Sequence, residues 1–573
     1  MSVTTVPDIS RQPGRDIVRG AISIAVITTT FLVLTPWWSG LDTPDSEFYA
    51  SLAIFTDQIT DRAPVDSYFW TRLGYIVPVH SLIQIFGTWA AFAAYKALLL
   101  VTITSSIFCL VRRSTGFWRA TWITAAASCS SVVLAYLGNP YITGSVMAGT
   151  VALAALATFS KIPAHIGSGL ILGWLAMVYP GGALLGGTVW VALTMYRTRT
   201  TTNPHSMITL AGTAGATVVS FALFWLAGRA LFPGLDWLST YVEASQFDYS
   251  RYSSGEHVWL RDISLLVPLA TLAMSVVNAI YFRHRLARDP KRRAAEWALI
   301  VSLTSISFFF TYAFFFGEHF LEAPPSQAMM WPPAMLAAAL VGASRMQATE
   351  SNHKVLSVVV ALISFAAIVV AGNLHLTIPL MAGWLISFVM VFVVVASPHR
   401  FIATLLALTV FFAGAQLLQN SREPLGQFML DPYAWGYQDN PNEEKIRVAV
   451  NAQRWLIDNT KRTDEILLWV DGSWVQGDRE LYTVAAMQLW GDNRLTLEPT
   501  ATDAYAIEAL SSVRPSVVAM YGRSMAAIES LHASLPSVNA PSPPACYDFT
   551  WPIDPVSEFP AEVGHLCITR LSW

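Results

Sequence analysis

The stretch LDTPDSEFY, Leu41 to Tyr49, sets Asp42, Asp45 and Glu47 just past the first long apolar run of the chain, Ile17 to Leu34. Of the 573 residues, 54% are hydrophobic and only 13% are charged, and the mean hydropathy is +0.46. That balance belongs to a membrane protein. Carboxylates beside a membrane surface in such a chain are costly to desolvate and point to chemistry rather than to solubility. Upstream, the apolar run ends in Trp37 and Trp38. Downstream, FYASLAIFTDQI (48–59) reads as an amphipathic helix. DSYFWTRLGYIVP (66–78) then brings Arg72 and Pro78 ahead of the next apolar run.

Runs of roughly 18 or more apolar residues mark spans, and the basic clusters between them set the topology. Arg11, Arg15 and Arg19 precede the first run, so the N-terminus is expected in the cytoplasm and the run is expected to be a retained anchor. YIVPVHSLIQIF (75–86) is short and holds Pro78, which predicts an interfacial helix. The second span, Trp89 to Val111, ends on Arg112 and Arg113. Spans three and four, about 117–137 and 141–159, meet at Gly138-Asn139-Pro140, a turn signal. Tyr179-Pro180-Gly181-Gly182 divides 166–196 into two short runs. They read as two spans or as a broken pair. Later spans fall at about 206–231, after Asp262, 295–316, 328–344, 354–372, 376–396 and 400–418. RHRLARDPKRR (283–293) is the strongest basic marker. All the basic clusters fall on one side, which predicts about thirteen spans and an external C-terminus.

After Gln419 the chain turns polar and mixed in charge. NEEKIRVAVNAQRWLI, ELYTVAAMQLW and DAYAIEALSSV read as helices; ILLWV (466–470), RLTLEP and SVVAMY (516–521) read as strands. That alternation predicts an extracytoplasmic α/β domain over 419–573. Cys109 and Cys129 lie in spans and read as inert core residues. Cys546 and Cys567 share the external domain, where a pair oxidises, and a disulfide is expected to pin a Pro-rich segment with little regular structure of its own. The formal charge of −3 argues against a nucleic-acid partner.

PDSEFYASL (44–52) resembles the PDE-x-x-YA-x-x stretch in the first external loop of the GT-C membrane glycosyltransferases, in particular the aminoarabinose and protein O-mannosyl transferases. The resemblance implies a polytopic α-helical GT-C-like membrane domain (1–418), with a catalytic first external loop at about 40–74. It also implies a sugar donor carried on polyprenyl phosphate. The family's catalytic aspartate falls on Asp45. The sequence departs at Ser46, where relatives carry glutamate; here Glu47 follows one residue later.

Inverting transfer from a lipid phosphate needs one carboxylate to take the acceptor's proton, so the paired carboxylates of glycosidases are not required. It also needs a cation at the departing phosphate. Asp45 is the first candidate base and Asp42 the second; the plainer alternative is that they cap the following helix. Arg72 ends the same loop, and its fork suits phosphate oxygens. Lys96 lies about two turns into the second span, where snorkelling to the interface competes with phosphate binding. Arg251, His257 and Arg261 sit on a long external loop, where a solvated charge is the simpler reading. GEHFLEAPP (317–325), ahead of PPAMLAAAL, resembles the stretch where relatives place a glutamate or histidine. Glu318, His319 and Glu322 are therefore candidates for the acceptor or a divalent cation, magnesium or manganese. No metal-ligand spacing supports the cation. Trp70, Tyr249, Tyr252, Trp469 and Trp474 could stack on sugars, although belt or core roles are the default.

The expected function is transfer of a sugar from a polyprenyl-phosphate donor to a glycan, glycolipid or protein acceptor outside the plasma membrane. The partners are that donor, the acceptor and the surrounding lipids. A ligase for diphosphate-linked oligosaccharide would want arginine-rich external loops. A transporter or flippase would want mid-span charges and repeat symmetry.

Overall fold

The computed structural model describes residues 13–34, most of 49–56, 68–128, 137, 142–200, 206–234, 236–242, 263–285, 292–316 and 324–344 of the membrane part. In the C-terminal part it describes most of 451–470, then 494–499, 510, 514–522, 524–535, 543–551 and 562–572. The expected spans at 354–372, 376–396 and 400–418, the turn at Gly138, the domain boundary near 419, Cys129, and the expected helices ELYTVAAMQLW and, except Leu510, DAYAIEALSSV lie outside the described residues.

The membrane part is helical: α1 (Pro13–Leu34), a 3-10 turn (Tyr68–Thr71), α2 (Leu73–Phe86), α3 (Thr88–Arg112), α4 (Phe117–Ser128), α5 (Ile142–Ala157) and α6 (Ile162–Val178). It continues with α7 (Pro180–Thr200), α8 (Ser206–Leu231), α9 (Ile263–Arg285), α10 (Arg292–Phe316) and α11 (Pro324–Ser344). Among the described residues, three segments are long and apolar enough to cross a membrane: Ala90–Arg112, Leu210–Leu231 and Arg292–Phe315. Shorter apolar helices, Ile142–Ala157 and Ile162–Val178 among them, pack beside them.

Two breaks show how sequence sets this path. Pro180 disfavours helix at the residue before it, and Tyr179 is accordingly extended (φ −162°, ψ 111°), so the run 166–196 becomes two helices, α6 and α7. Gly87, at φ +80°, turns the chain from α2 into α3 in a conformation that a side chain would resist.

Small residues let α6 and α8 approach closely. A Cβ on Gly169 would lie 2.2 Å from the Thr213 carbonyl oxygen, and one on Gly173 would lie 2.4 Å from that of Thr217. Two hydroxyls cross the same seam: Thr213 donates to His165 O (3.1 Å) and Ser220 to Leu170 O (2.8 Å). In lipid the water-driven hydrophobic effect between helices is absent, so contact packing and such bonds hold the pair. The outer face of α8 stays exposed at Val218, Val219, Leu223 and Leu226, as a lipid-facing helix requires. Cys109 is also exposed on α3, which corrects its expected place in the core.

The C-terminal part contains a five-stranded mixed sheet in the order β2-β1-β3-β5-β4: β1 (Glu465–Val470), β2 (Arg494–Pro499), β3 (Val517–Gly522), β4 (Ala545–Trp551) and β5 (Glu562–Arg570). The first three are parallel; β5 and β4 join antiparallel. One face, with Ile466, Leu468, Ala519, Tyr521, Leu566 and Phe549, meets Ala452 and Leu456 of the preceding helical segment. The other, with Leu467, Trp469, Val518 and Met520, is covered by Ile528 and Leu531 of α12 (Met525–Ser534). Cys546 and Cys567 are register partners on β4 and β5 and form a disulfide. The segment around Cys546 is thus a regular strand, not the irregular stretch expected from its prolines. Gly564 stands opposite Phe549, whose ring fills the space a Cβ would take, 2.5 Å away.

Candidate functional site

Arg72 is a cationic position fixed from several sides. It lies between the 3-10 turn and α2, and every neighbouring residue is pinned. Trp237 Nε1 donates to Thr71 O and Trp174 Nε1 to Gly74 O, both at 2.8 Å. The Trp70 ring meets Phe232 edge-on at 4.7 Å. Leu73 fills the gap over Gly228, where a Cβ would lie 2.3 Å from its Cδ1. Gly74 is pressed against α6, where a Cβ would fall 2.7 Å from Val178 N and 2.8 Å from Trp174 O. The segment 70–74 is therefore clamped between the ends of α6 and α8, and α6 and α8 are clamped to each other by the glycine seam.

The Arg72 side chain is 6% exposed and lies 5.1 Å from the Tyr179 ring centroid. Burial works against its charge, but the phenols of Tyr49, Tyr241 and Tyr179 outweigh that and hold the guanidinium above its ordinary range. It stays cationic. Tyr49 is the first of the helical residues described between 49 and 56 and stands two positions after Glu47, so the acidic loop leads in sequence into the wall of this site. His80 Nδ1 ties that stretch to α2 through Ala53 O at 3.0 Å; a carbonyl only accepts, so Nδ1 carries the proton.

A row of phenols runs from there into the bundle. The Tyr75 ring lies 6.0 Å from that of Tyr49 and 5.5 Å from that of Tyr95, and Tyr95 Oη bonds Ser145 Oγ at 2.7 Å. Lys96, the next residue of α3, is 1% exposed. Its ammonium is enclosed by protein and does not reach outward, so the snorkelling reading is set aside. Trp70 and Trp469 are core residues, 1% and 2% exposed, rather than open stacking surfaces.

Asp42, Asp45, Glu47, Tyr249, Arg251, Tyr252, His257, Arg261, Glu318, His319, Glu322 and Trp474 lie outside the described residues. Among the described residues no group of three or more His, Cys, Asp or Glu could hold a metal ion. Sequence reading named Arg72 and Lys96 as candidates but missed the tyrosines and indoles that fix Arg72 and the burial of Lys96. The available signals were Tyr179 inside the breaker cluster and Tyr95 beside Lys96.

No protein-family model matches the chain, and no curated protein matches it. Among solved structures, ArnT from Cupriavidus metallidurans bound to undecaprenyl phosphate is 12% identical, with 95% of this chain and 97% of that one covered and a TM-score of 0.50. ArnT from the same organism in the apo state is 13% identical, with 96% and 98% covered and a TM-score of 0.47. The Archaeoglobus fulgidus oligosaccharyltransferase in complex with Zn and sulfate is 10% identical, with 88% and 67% covered and a TM-score of 0.34. At these identities the likeness bears on fold alone: the chain has a mostly helical polytopic fold like that of ArnT, with a small mixed-sheet domain at its C-terminal end.

Proposed function

We propose that the protein is a membrane glycosyltransferase that moves a sugar from a polyprenyl-phosphate donor to an extracytoplasmic acceptor by inverting single displacement. The observation that carries the reading is Arg72, a buried cation whose neighbours at 70, 71, 73 and 74 are all clamped, at the end of the loop that carries the acidic stretch. The fold it shares with ArnT, a structure of which holds undecaprenyl phosphate, agrees with that reading.

In this mechanism the Asp45 carboxylate accepts the proton of the acceptor hydroxyl, and Asp42 is the second candidate. The hydroxyl oxygen bonds to the anomeric carbon opposite the phosphate, and the bond from that carbon to the phosphate oxygen breaks. The electron pair stays on the lipid phosphate, whose growing charge Arg72 stabilises at a site already desolvated. Lys96 is the second candidate for the phosphate, on α3 next to Tyr95, whose ring continues the row from Tyr49 through Tyr75. His257, Arg261, Glu318, His319 and Glu322 remain candidates for the donor's polar groups or the acceptor. A divalent cation would add charge stabilisation there, and no step above requires it.

In this reading the protein sits in the plasma membrane with its catalytic end and C-terminal domain outside the cytoplasm, the orientation that the positive-inside rule favours for its basic clusters, and the domain helps to position the acceptor. The alternative, a transporter or flippase of lipid-linked intermediates, would bind the same lipid without breaking the sugar–phosphate bond. Purified protein incubated with a panel of polyprenyl-phosphate sugars should release lipid phosphate from one of them when acceptor is present. Binding of donor with no release under any acceptor would favour the transporter.

A further inference from the structure

At the end of the bundle opposite Arg72, arginines from separate helices converge. The helices α3, α6, α7 and α8 each run from one end to the other. Tyr179, Gly228 and the start of α7 lie at the Arg72 end, and Arg113, Lys161 and Arg197 at the far end. Arg197, at the close of α7, donates to the carbonyls of Ala157 (3.0 Å) and Phe159 and, through Nη2, to His165 Nε2 (3.1 Å). It is half-buried and makes the floor. Arg113, just past α3, donates to Thr158 O and lies 3.8 Å from the Phe159 ring centroid. Arg293, in the first turn of α10, is exposed, as is Arg113; the two form the rim. Burial pulls the Arg113 guanidinium below its ordinary value, Cys109 opposes this, and the charges of Arg293 and Arg197 add to the lowering, so each of these two arginines lies near Arg113.

Among the described residues the carboxylate at this end, Glu296, is already engaged: it pairs with Arg292 (2.9 Å) and Arg283 (3.7 Å) and accepts from Tyr196. Charges that serve only to orient a membrane protein can spread over the interface. Arg113 and Arg197 instead converge, held by the carbonyls of Ala157, Thr158 and Phe159, and the Tyr196–Glu296 bond brings the first turn of α10, with Arg293, to the same end. Beside them run two exposed apolar rows, Ile162, Ile166 and Leu170 on α6 and Leu184, Val191 and Met195 on α7. Polar rim, cationic floor and apolar rows in that order match the parts of a phospholipid.

We infer that the Arg113–Arg197–Arg293 notch binds the phosphate headgroup of an anionic phospholipid, with its acyl chains along α6 and α7. Guanidinium forks recognise phosphate oxygens, and basic pockets between spanning helices take such headgroups.

Native mass spectrometry of the full-length protein in detergent, titrated with phosphatidylglycerol, tests this. Phosphatidylcholine with the same chains is the neutral comparison, and inorganic phosphate is the competitor. The anionic lipid should bind more tightly than the neutral one and should survive excess inorganic phosphate. Arg113→Gln with Arg293→Gln should weaken it roughly 10- to 30-fold, while the double Lys variant keeps most of the affinity. Arg199→Gln, an exposed charge at the same end, should change little. Equal binding of both lipids, displacement by inorganic phosphate, or an equal loss in Arg199→Gln would overturn the inference. Should the double Gln variant fail to fold, the wild type decides. Its lipid affinity must fall between about 50 and about 500 mM salt, and an unchanged affinity contradicts the site.

Discussion

Gly173→Ala links packing to the site in a single substitution. The added Cβ would sit 2.4 Å from the Thr217 carbonyl oxygen and 2.7 Å from Ser220 Cβ, where 3.4 Å begins ordinary contact. Backbone cannot swing aside as a side chain can, so α8 must withdraw from α6 by about 1 Å, the difference between 3.4 Å and 2.4 Å. Overpacking of this kind costs about 1–3 kcal/mol. The larger consequence is at Arg72. Trp174 and Tyr179 belong to the α6 side of its clamp; Gly228, Phe232 and Trp237 belong to the α8 side. Prising the two apart by about 1 Å should lower turnover on the order of 100-fold, the usual cost of such a misplacement. Gly215→Ala is the control, because nothing lies within 4 Å of its Cβ position on the same α8. Thermal unfolding in detergent and released lipid phosphate are the readouts. If Gly173→Ala matches Gly215→Ala in both, the seam does not hold the site.

Trp237→Phe removes the hydrogen bond donated to Thr71 O, which should cost about 0.5–1.5 kcal/mol and loosen donor binding; donor titration of wild type and variant measures it. Reduction or Cys→Ser replacement of the Cys546–Cys567 pair, 21 residues apart, should lower the unfolding free energy of the C-terminal domain by roughly 3 kcal/mol. Calorimetry with and without reductant tests this, and finding two free thiols in the native protein by mass spectrometry would remove its basis. Single cysteines introduced at Arg288 and Asp478 should differ on intact cells, only the second reacting with an impermeant thiol reagent. The opposite pattern would invert the proposed topology.

How far the sequence could be read depended on how local each signal was. Pro180 acts on its neighbour alone, so the α6–α7 break was legible, as was the short helix around Pro78. Strand β1 is a continuous buried apolar run and was found within one residue. Strand β4 was not, although Ala545, Tyr547, Phe549 and Trp551 alternate with Cys546, Asp548 and Thr550 in a clear period of two; the prolines at 543, 544 and 552 masked it. At the site, Arg72 announced itself by following the acidic loop. Its tyrosine surround did not, because Tyr49, Tyr179 and Tyr241 meet only once four separate segments have packed. Burial of Lys96 was likewise hidden, since a lysine near the end of a span looks the same whether it faces lipid or protein.

The central claim is that the acidic loop supplies the base for sugar transfer, and turnover of Asp45→Asn measures it directly. The amide is nearly isosteric and can still cap a helix, so a structural Asp45 would tolerate the change. With a donor and acceptor that the wild type uses, Asp45→Asn should bind donor normally and release lipid phosphate about 10² to 10⁴ times more slowly. A larger loss in Asp42→Asn would move the base to that residue within the same loop. Near wild-type transfer by both variants, correctly inserted and purified, would contradict the account.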